Sequence, residues 1–247
     1  MTSPRQGDLF ASPPIHGTVQ EAGLGLRFAP KVELLGLSLG VDAAMADLFE
    51  IDALALLLRR CSPSCSDPDG SALALLQRFG CWPRVMGATL AELALVVGEA
   101  VAGDLKLVRD LLLRGLQFEV RKRDILSSWA AIAAYLRALL GGQARESFRV
   151  LFLDRANGLI ADEVMGEGTV DHAPVYPREI MRRALELNAS ACCLVHNHPT
   201  GNPNPSSADI EMTRKVVEAA RALGIQVYDH FLVGGDEVVS FKTKGLM

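Results

Sequence analysis

The spacing of apolar residues changes partway along this chain of 247 residues. From residue 44 to about residue 123, apolar side chains recur every three or four positions, as in Leu54, Leu57 and Leu58, which predicts amphipathic helices. Later the apolar residues form short continuous runs between turn residues, which is typical of buried strands. The chain therefore has to combine an all-helical part with an α/β part.

The change in the spacing of apolar residues divides the chain into three predicted regions. Residues 1–43 contain prolines and glycines without a sustained apolar period, so they are predicted to be a mostly unstructured tail. Residues 44–124 are predicted to form a small helical domain of four or five short helices, interrupted by loops at Cys61 to Gly70 and Gly80 to Gly87. Residues 125–247 are predicted to form the second domain.

The second domain is predicted to have the α/β fold class, with a mixed sheet flanked by helices. A helix over Trp129 to Leu139 comes first, and two apolar runs then flank Asn157-Gly158, a strong hairpin signal. The remaining elements are expected at Tyr176 to Leu187 (helix), Ala189 to Val195 (strand), Ser207 to Leu223 (helix), Ile225 to Val233 (strand) and a short strand after the glycine pair at 234–235.

Composition excludes several classes of protein. The 25 lysines and arginines against 29 aspartates and glutamates give a net charge of −4, so the chain lacks the broad basic surface of a protein held to DNA by phosphate contacts. Five cysteines without a CxxC pair argue against a disulfide framework. No apolar run approaches the roughly 18 residues of a membrane span, so a cytoplasmic location without membrane association is expected.

The most informative segment runs from Leu194 to Asp209. A buried strand ends in His-Asn-His, and because side chains alternate along a strand, His196 and His198 point to the same face. A loop rich in proline follows, and the next helix is expected to begin near Ser206, which brings Asp209 into its first turn. Two histidines and one carboxylate leave the fourth tetrahedral position of zinc open, as in catalytic zinc sites.

Ser206 and Asp209 have a second interpretation. A serine followed three residues later by an acidic residue, ahead of an apolar run, indicates a capping box at a helix start. The two interpretations are compatible, because a serine hydroxyl has one donor and two acceptor sites and can cap a helix while donating into a site.

The spacing His196-x-His198, seven residues, then Ser206-x-x-Asp209 resembles the JAMM metalloprotease motif of the JAB/MPN superfamily. This resemblance implies that residues 125–247 form an MPN/JAMM zinc metallohydrolase-like domain. It also implies that His196, His198 and Asp209 bind Zn²⁺ and that Ser206 helps to stabilise the oxyanion.

Within that superfamily, three segments resemble the RadC family of bacteria. They are His-Asn-His-Pro-Thr-Gly at 196–201, Tyr-Pro-Arg-Glu at 176–179 and Asp229-His230. The preceding helical domain resembles the helix-hairpin-helix region of that family. Its expected hairpin at Val96 to Glu99 keeps one of two glycines and adds a negative charge where a phosphate would approach, which argues against DNA binding.

The resemblance also implies a glutamate base at the edge of the first strand after the long helix. Glu146 holds that place, and Glu163, Glu167 and Glu179 are alternatives. For His230, two interpretations stay open: a group that holds a metal ligand through a hydrogen bond, or an ordinary core histidine.

The predicted function is that of a zinc-dependent metallopeptidase, which cleaves a peptide or isopeptide bond in an unknown protein substrate with zinc-activated water. One alternative is a DNA-repair-associated protein that acts through DNA or a DNA-processing complex. Another is a zinc-binding adaptor that recognises a peptide without cutting it. Turnover, salt-dependent DNA binding and peptide affinity without turnover distinguish the three.

Overall fold

The computed structural model describes residues 50–122, 129–168 and 175–247. The predicted tail, residues 1–43, lies outside the described residues. The helices before the sheet are α1 (Glu50–Cys61), α2 (Pro68–Phe79), α3 (Trp82–Gly87), α4 (Leu90–Val97), α5 (Glu99–Lys122) and α6 (Trp129–Leu140). The sheet region comprises β1 (Ser147–Leu153), β2 (Leu159–Glu167), α7 (Pro177–Glu186), β3 (Ala191–His198), α8 (Ser207–Ala222), β4 (Gln226–Gly234) and β5 (Glu237–Ser240).

Helices α1 to α5 pack around a shared group of buried side chains, among them Leu54, Leu75, Val85, Leu93 and Leu105. Two of the helix starts have local causes in the sequence. The Asp67 carboxylate accepts a hydrogen bond from a backbone N–H in the first turn of α2. A capping box between Thr89 and Glu92 begins α4. An N-terminal helical region is therefore confirmed.

Two expectations about this region were wrong in detail. The segment Gly80 to Gly87 was expected to be a loop but contains α3, which has Pro83 in its first turn, where proline favours a helix start. Six residues are fewer than two helical turns, so no apolar period reveals them. The last helix, α5, has 24 residues and is not short.

A single residue, Gly98, joins α4 to α5. Its φ of 81° lies in the left-handed region, which glycine adopts without steric cost. The expected hairpin at Val96 to Glu99 is therefore in place, and Glu99 is the first residue of α5.

The sheet has five strands in the order β2-β1-β3-β4-β5. Strands β3 and β4 pair in parallel, and the other neighbouring pairs are antiparallel. The sheet is therefore mixed, as predicted. Asn157, with a φ of 62°, lies in the turn between β1 and β2, where the hairpin was expected.

Helices cover both faces of the sheet. One face packs against α6 and buries Leu151, Leu153, Cys193, Val195, Phe231 and Val233. The opposite face packs against α7 and α8 and buries Phe148, Val150, Phe152, Cys192 and Leu194. Because side chains alternate, His196 and His198 continue the second face.

The connection from β3 to β4 positions the site. Strand β3 lies in the middle of the sheet and is buried along its length except at its last residue, His198. The chain then passes through α8 and returns as the parallel strand β4, so the first turn of α8 lies beside the end of β3. None of the helices in the described ranges is long and apolar enough to span a bilayer.

Candidate metal centre

The end of β3 and the start of α8 bring three metal-binding side chains together. The Nε2 atoms of His196 and His198 are 3.2 Å apart. Asp209 Oδ1 lies 3.5 Å from His196 Nε2, and Asp209 Oδ2 lies 3.4 Å from His198 Nε2. Across the described residues, this is the one group of three or more His, Cys, Asp or Glu side chains with ligand atoms close enough for a metal ion.

These separations agree with tetrahedral zinc. Zinc–nitrogen and zinc–oxygen bonds of about 2.0–2.2 Å place neighbouring ligand atoms about 3.3–3.5 Å apart at the tetrahedral angle. The separations of 3.2, 3.4 and 3.5 Å, of which the last two end at different carboxylate oxygens of Asp209, are close to this size. The residues present therefore fit a zinc ion.

The hydrogen bond at Nδ1 of His198 determines the tautomer of the neutral ring. Its Nδ1 lies 2.9 Å from the backbone carbonyl oxygen of Asn202. A carbonyl can only accept, so Nδ1 donates, and Nε2 of the neutral ring carries the lone pair that a metal needs.

The charges of the site stabilise each other. Burial by itself would raise the pKa of the Asp209 carboxyl, but hydrogen bonding with His196, His198 and Ser206 outweighs burial and holds that pKa well below its usual range. Hydrogen bonding to Asp209 raises the pKa of His198 above its ordinary value of 6.5, and the nearby Glu146 carboxylate adds to this effect. Without a metal, the hydrogen bond to Asp209 therefore favours the protonated form of His198.

Ser206 is the N-cap of α8, as the capping-box interpretation predicted. Its backbone N–H and its hydroxyl both donate to Asp209 Oδ2 at 2.7 Å, and the hydroxyl accepts from the Asp209 N–H at 3.2 Å. The single hydroxyl proton is thus engaged by Asp209. Donation to an oxyanion would require the hydroxyl to turn that proton away from the carboxylate.

Glu146 directly precedes β1, and its carboxylate lies close enough to His198 to contribute to the raised pKa of that ring. The pairing of β1 with β3 ends at Phe148 and His196, which are two residues after Glu146 and two residues before His198, respectively.

The Asn197 side chain forms hydrogen bonds with the backbone on both sides of Glu146. Its side chain points to the opposite face from the two histidines and is buried. Its Oδ1 accepts from the Ser147 N–H at 2.9 Å, and its Nδ2 donates to the Arg145 carbonyl at 3.1 Å. The middle residue of His-Asn-His therefore fixes the segment that carries the glutamate.

Two of the other glutamates considered from the sequence are engaged by arginines, and the third lies on the strand beside Glu146. Glu163 forms a two-pronged ion pair with Arg183 of α7, at 2.6 and 2.7 Å. Glu179 pairs with arginines on its own helix. Glu167 is an exposed residue at the end of β2, in register with Ser147.

A cavity reaches His198 from the α6 side. It is lined by the start of α3, the glycine pair at 141–142, the loop after β3 and the turn between β4 and β5. Its apolar residues, Leu140 and Val233, belong to the face packed against α6. The ligand side chains belong to the opposite face, where the side chains of His198 and Asp209 are each 16% exposed.

Two further residues contact the site from within the core. His230 of β4 places its Nε2 atom 2.8 Å from His196 Nδ1. Burial lowers the pKa of His230 well below its ordinary value, which keeps the ring neutral. Thr213 hydrogen-bonds to His230 and had not been singled out from the sequence, although its position four residues after Asp209 places it on the same side of α8.

A mixed sheet with helices on both faces, and a His-x-His strand end that meets an aspartate in the next helix, define a JAB-type domain. Residues 126–246 match the family described as RadC-like JAB domain. A UPF0758 protein of Rhodobacter capsulatus is 47% identical over 200 residues, which cover 80% of this chain and 93% of that protein. A UPF0758 protein of Ruegeria pomeroyi is 45% identical over 204 residues, which cover 82% and 91%.

The chain belongs to the RadC family. The resemblance drawn from the sequence is therefore confirmed.

Proposed function

We propose that this protein is a zinc-dependent hydrolase of the JAMM type that cleaves a peptide or isopeptide bond. The observation that carries the proposal is the convergence of ligand atoms from two histidines and one aspartate, with the Glu146 carboxylate close enough to raise the pKa of His198. We further propose that residues 125–247 form the hydrolase domain and residues 44–124 a helical domain.

His196, His198 and Asp209 would hold the ion, and the side chains of His198 and Asp209 are each 16% exposed. Bound in such a site, zinc supplies a Lewis acid and lowers the pKa of a water toward 7. Asp209 brings one negative charge and the neutral histidines none, so the protein only partly neutralises the charge of the ion.

Glu146 would act as the general base and then as the general acid. Its carboxylate accepts a proton from the water whose oxygen attacks the substrate carbonyl carbon. It then gives that proton to the nitrogen as the carbon–nitrogen bond breaks, so the products are a carboxylic acid and an amine, which at neutral pH become a carboxylate and an ammonium group. Asn197 supports this step because it fixes the backbone beside Glu146.

Ser206 would have two roles. Its hydroxyl orients Asp209 in the resting arrangement. It also lies at the exposed rim of the site, where it can turn its proton toward the oxygen of the substrate carbonyl as negative charge develops there. Loss of one such donor typically lowers the rate by about 100-fold or more.

The test is a turnover assay on the zinc-loaded protein. Peptide libraries with linear and isopeptide bonds are incubated with wild type, Glu146→Gln and the matched control Glu163→Gln, and products are identified by mass spectrometry. We expect Glu146→Gln to keep its zinc and to lose at least about 100-fold in rate, since a general base contributes about 10²–10⁴-fold. Glu163→Gln should keep turnover.

Other outcomes would overturn parts of the proposal. Equal turnover in Glu146→Gln and wild type would show that another group is the base. Peptide binding by wild type without cleavage, unchanged in Glu146→Gln, would favour the adaptor. Salt-dependent DNA binding without turnover would favour the DNA-repair alternative.

A further inference from the structure

His230 is a fully buried histidine with a partner on each ring nitrogen. Its ring packs against Phe241, with centroids 4.3 Å apart, and against the edge of Phe148, with centroids 5.6 Å apart. Its Nε2 lies 2.8 Å from His196 Nδ1, and its Nδ1 lies 2.6 Å from Thr213 Oγ1. Because the ring is buried among apolar side chains, loss of either hydrogen bond would leave a buried polar nitrogen unsatisfied, at a cost in free energy.

The direction of each hydrogen bond follows from the last acceptor in the chain. Thr213 Oγ1 lies 2.6 Å from the backbone carbonyl oxygen of Asp209, and a carbonyl can only accept. The hydroxyl has one proton and gives it to Asp209, so it must accept from His230. The proton of the neutral His230 ring is therefore on Nδ1, and its Nε2 is an acceptor.

The state of His230 determines the direction of its hydrogen bond with the metal ligand His196. Since His230 Nε2 accepts, His196 Nδ1 must donate. A neutral His196 then carries its lone pair on Nε2, the atom that faces His198 and Asp209. The ligand-binding tautomer of His196 is thus fixed by a carbonyl on a different element, which is reached from the ring through three hydrogen bonds.

We propose that His230 and Thr213 are positioning residues of the metal centre, which hold His196 in the tautomer that presents Nε2 to the ion. The inference rests on the metal site of the proposed function but not on hydrolysis. The chain of contacts links β3, β4 and α8, so it also fixes the strand that carries the histidines relative to the helix that carries Asp209.

A core histidine with a purely structural role would stabilise the fold without affecting the metal. A positioning role predicts a loss of zinc affinity of about 10–100-fold when the hydrogen bond to a ligand is removed. Conservative variants can separate these roles, because glutamine retains an acceptor near the position of Nε2 while leucine does not.

The experiment measures zinc affinity by competition with a chelating dye for wild type and two pairs of variants. We expect His230→Leu to weaken zinc binding by about 10–100-fold and His230→Gln to recover most of that loss. Thr213→Val should weaken binding less, and Thr213→Ser should restore it. Thermal unfolding in excess chelator measures any loss of stability separately from the metal.

A second readout does not depend on zinc affinity. Nitrogen-15 NMR of the metal-free and zinc-loaded protein detects coupling across the hydrogen bond between the two rings. We expect the shared proton on His196 Nδ1 and none on His230 Nε2. A proton on His230 Nε2 would overturn the inference.

Unchanged zinc affinity in folded His230→Leu and Thr213→Val would also overturn the inference while leaving the proposed function intact. If His230→Leu does not fold, the zinc affinities of Thr213→Val and Thr213→Ser, together with the NMR measurement, test the positioning role. A wild-type protein that binds no zinc would overturn the proposed function together with the positioning role.

Discussion

Two helices of this protein begin with the same hydrogen-bonded arrangement. At α4, the Thr89 N–H and hydroxyl both donate to Glu92 Oε2 at 2.8 Å, and the Glu92 N–H donates to the Thr89 hydroxyl at 3.2 Å. At α8, Ser206 and Asp209 make the same three bonds at 2.7, 2.7 and 3.2 Å. As helix caps, the two are nearly identical.

What differs is the group that faces the carboxylate. Glu92 is an exposed side chain whose pKa is lowered chiefly by the hydrogen bond from the Thr89 backbone. Asp209 is half-buried, and both of its oxygens face histidine Nε2 atoms. A capping box is therefore compatible with a metal site but does not indicate one. The histidines at the end of β3 make the difference.

The largest expected difference in zinc affinity is between variants that remove one or the other of the two capping carboxylates. Asp209→Ala removes a ligand and should weaken zinc binding by more than about 100-fold, the upper end for loss of an outer hydrogen-bonding group. Glu92→Ala breaks an equivalent box and should leave zinc affinity unchanged. Isothermal titration with zinc measures both. Equal affinities in the two variants would mean that Asp209 only caps its helix.

Removal of either capping hydroxyl is expected to have an intermediate effect, on stability in both cases and on zinc affinity in one. Ser206→Ala and Thr89→Ala should each lower the free energy of unfolding by about 0.5–2 kcal/mol, as measured by urea denaturation in excess chelator. Ser206→Ala should also weaken zinc binding by about 10-fold or more, because Asp209 loses the group that orients it. If both variants bind zinc like wild type, Ser206 does not orient the ligand.

The smallest expected effect is a pH dependence of stability and zinc affinity at the Asp209 cap, where His198 faces the carboxylate, and not at the Glu92 cap. The raised pKa of His198 stabilises the metal-free fold below pH 6.5, and this stabilisation is lost as pH rises through the raised pKa. The lowered pKa of Asp209 stabilises the fold above pH 3.8, and this is lost only as pH falls through the lowered value.

Zinc must displace the proton on His198, so its affinity should rise by up to about tenfold per pH unit until that ring is neutral. The increase in Tm on zinc addition should therefore grow as pH rises from below 6.5 through the raised pKa of His198. Glu92→Ala should show the same trend as wild type. An increase in Tm that is constant over this range would contradict protonation of His198 in the metal-free protein.

Features set by local geometry were predictable from the sequence. The alternation of side chains placed His196 and His198 on one face, and the spacing of Ser206 and Asp209 predicted the start of α8. The hairpin at Asn157 followed from turn chemistry in the same way.

Features that depend on strand order were not predictable. Nothing near Asn197 indicates that it bonds on both sides of Glu146, because the two segments lie about 50 residues apart and meet only through the pairing of β1 with β3. The contact of His230 with His196 likewise depends on the parallel pairing of β3 and β4. For this reason the sequence left the role of His230 open.

The most direct test of the account is a crystal structure of the zinc-loaded protein with anomalous scattering measured at the zinc edge. The account predicts one anomalous peak about 2.0–2.2 Å from His196 Nε2, His198 Nε2 and a carboxylate oxygen of Asp209, with the Thr89–Glu92 cap free of metal. A peak that lacks any of these three ligands, or no peak from protein crystallised with zinc, would contradict it.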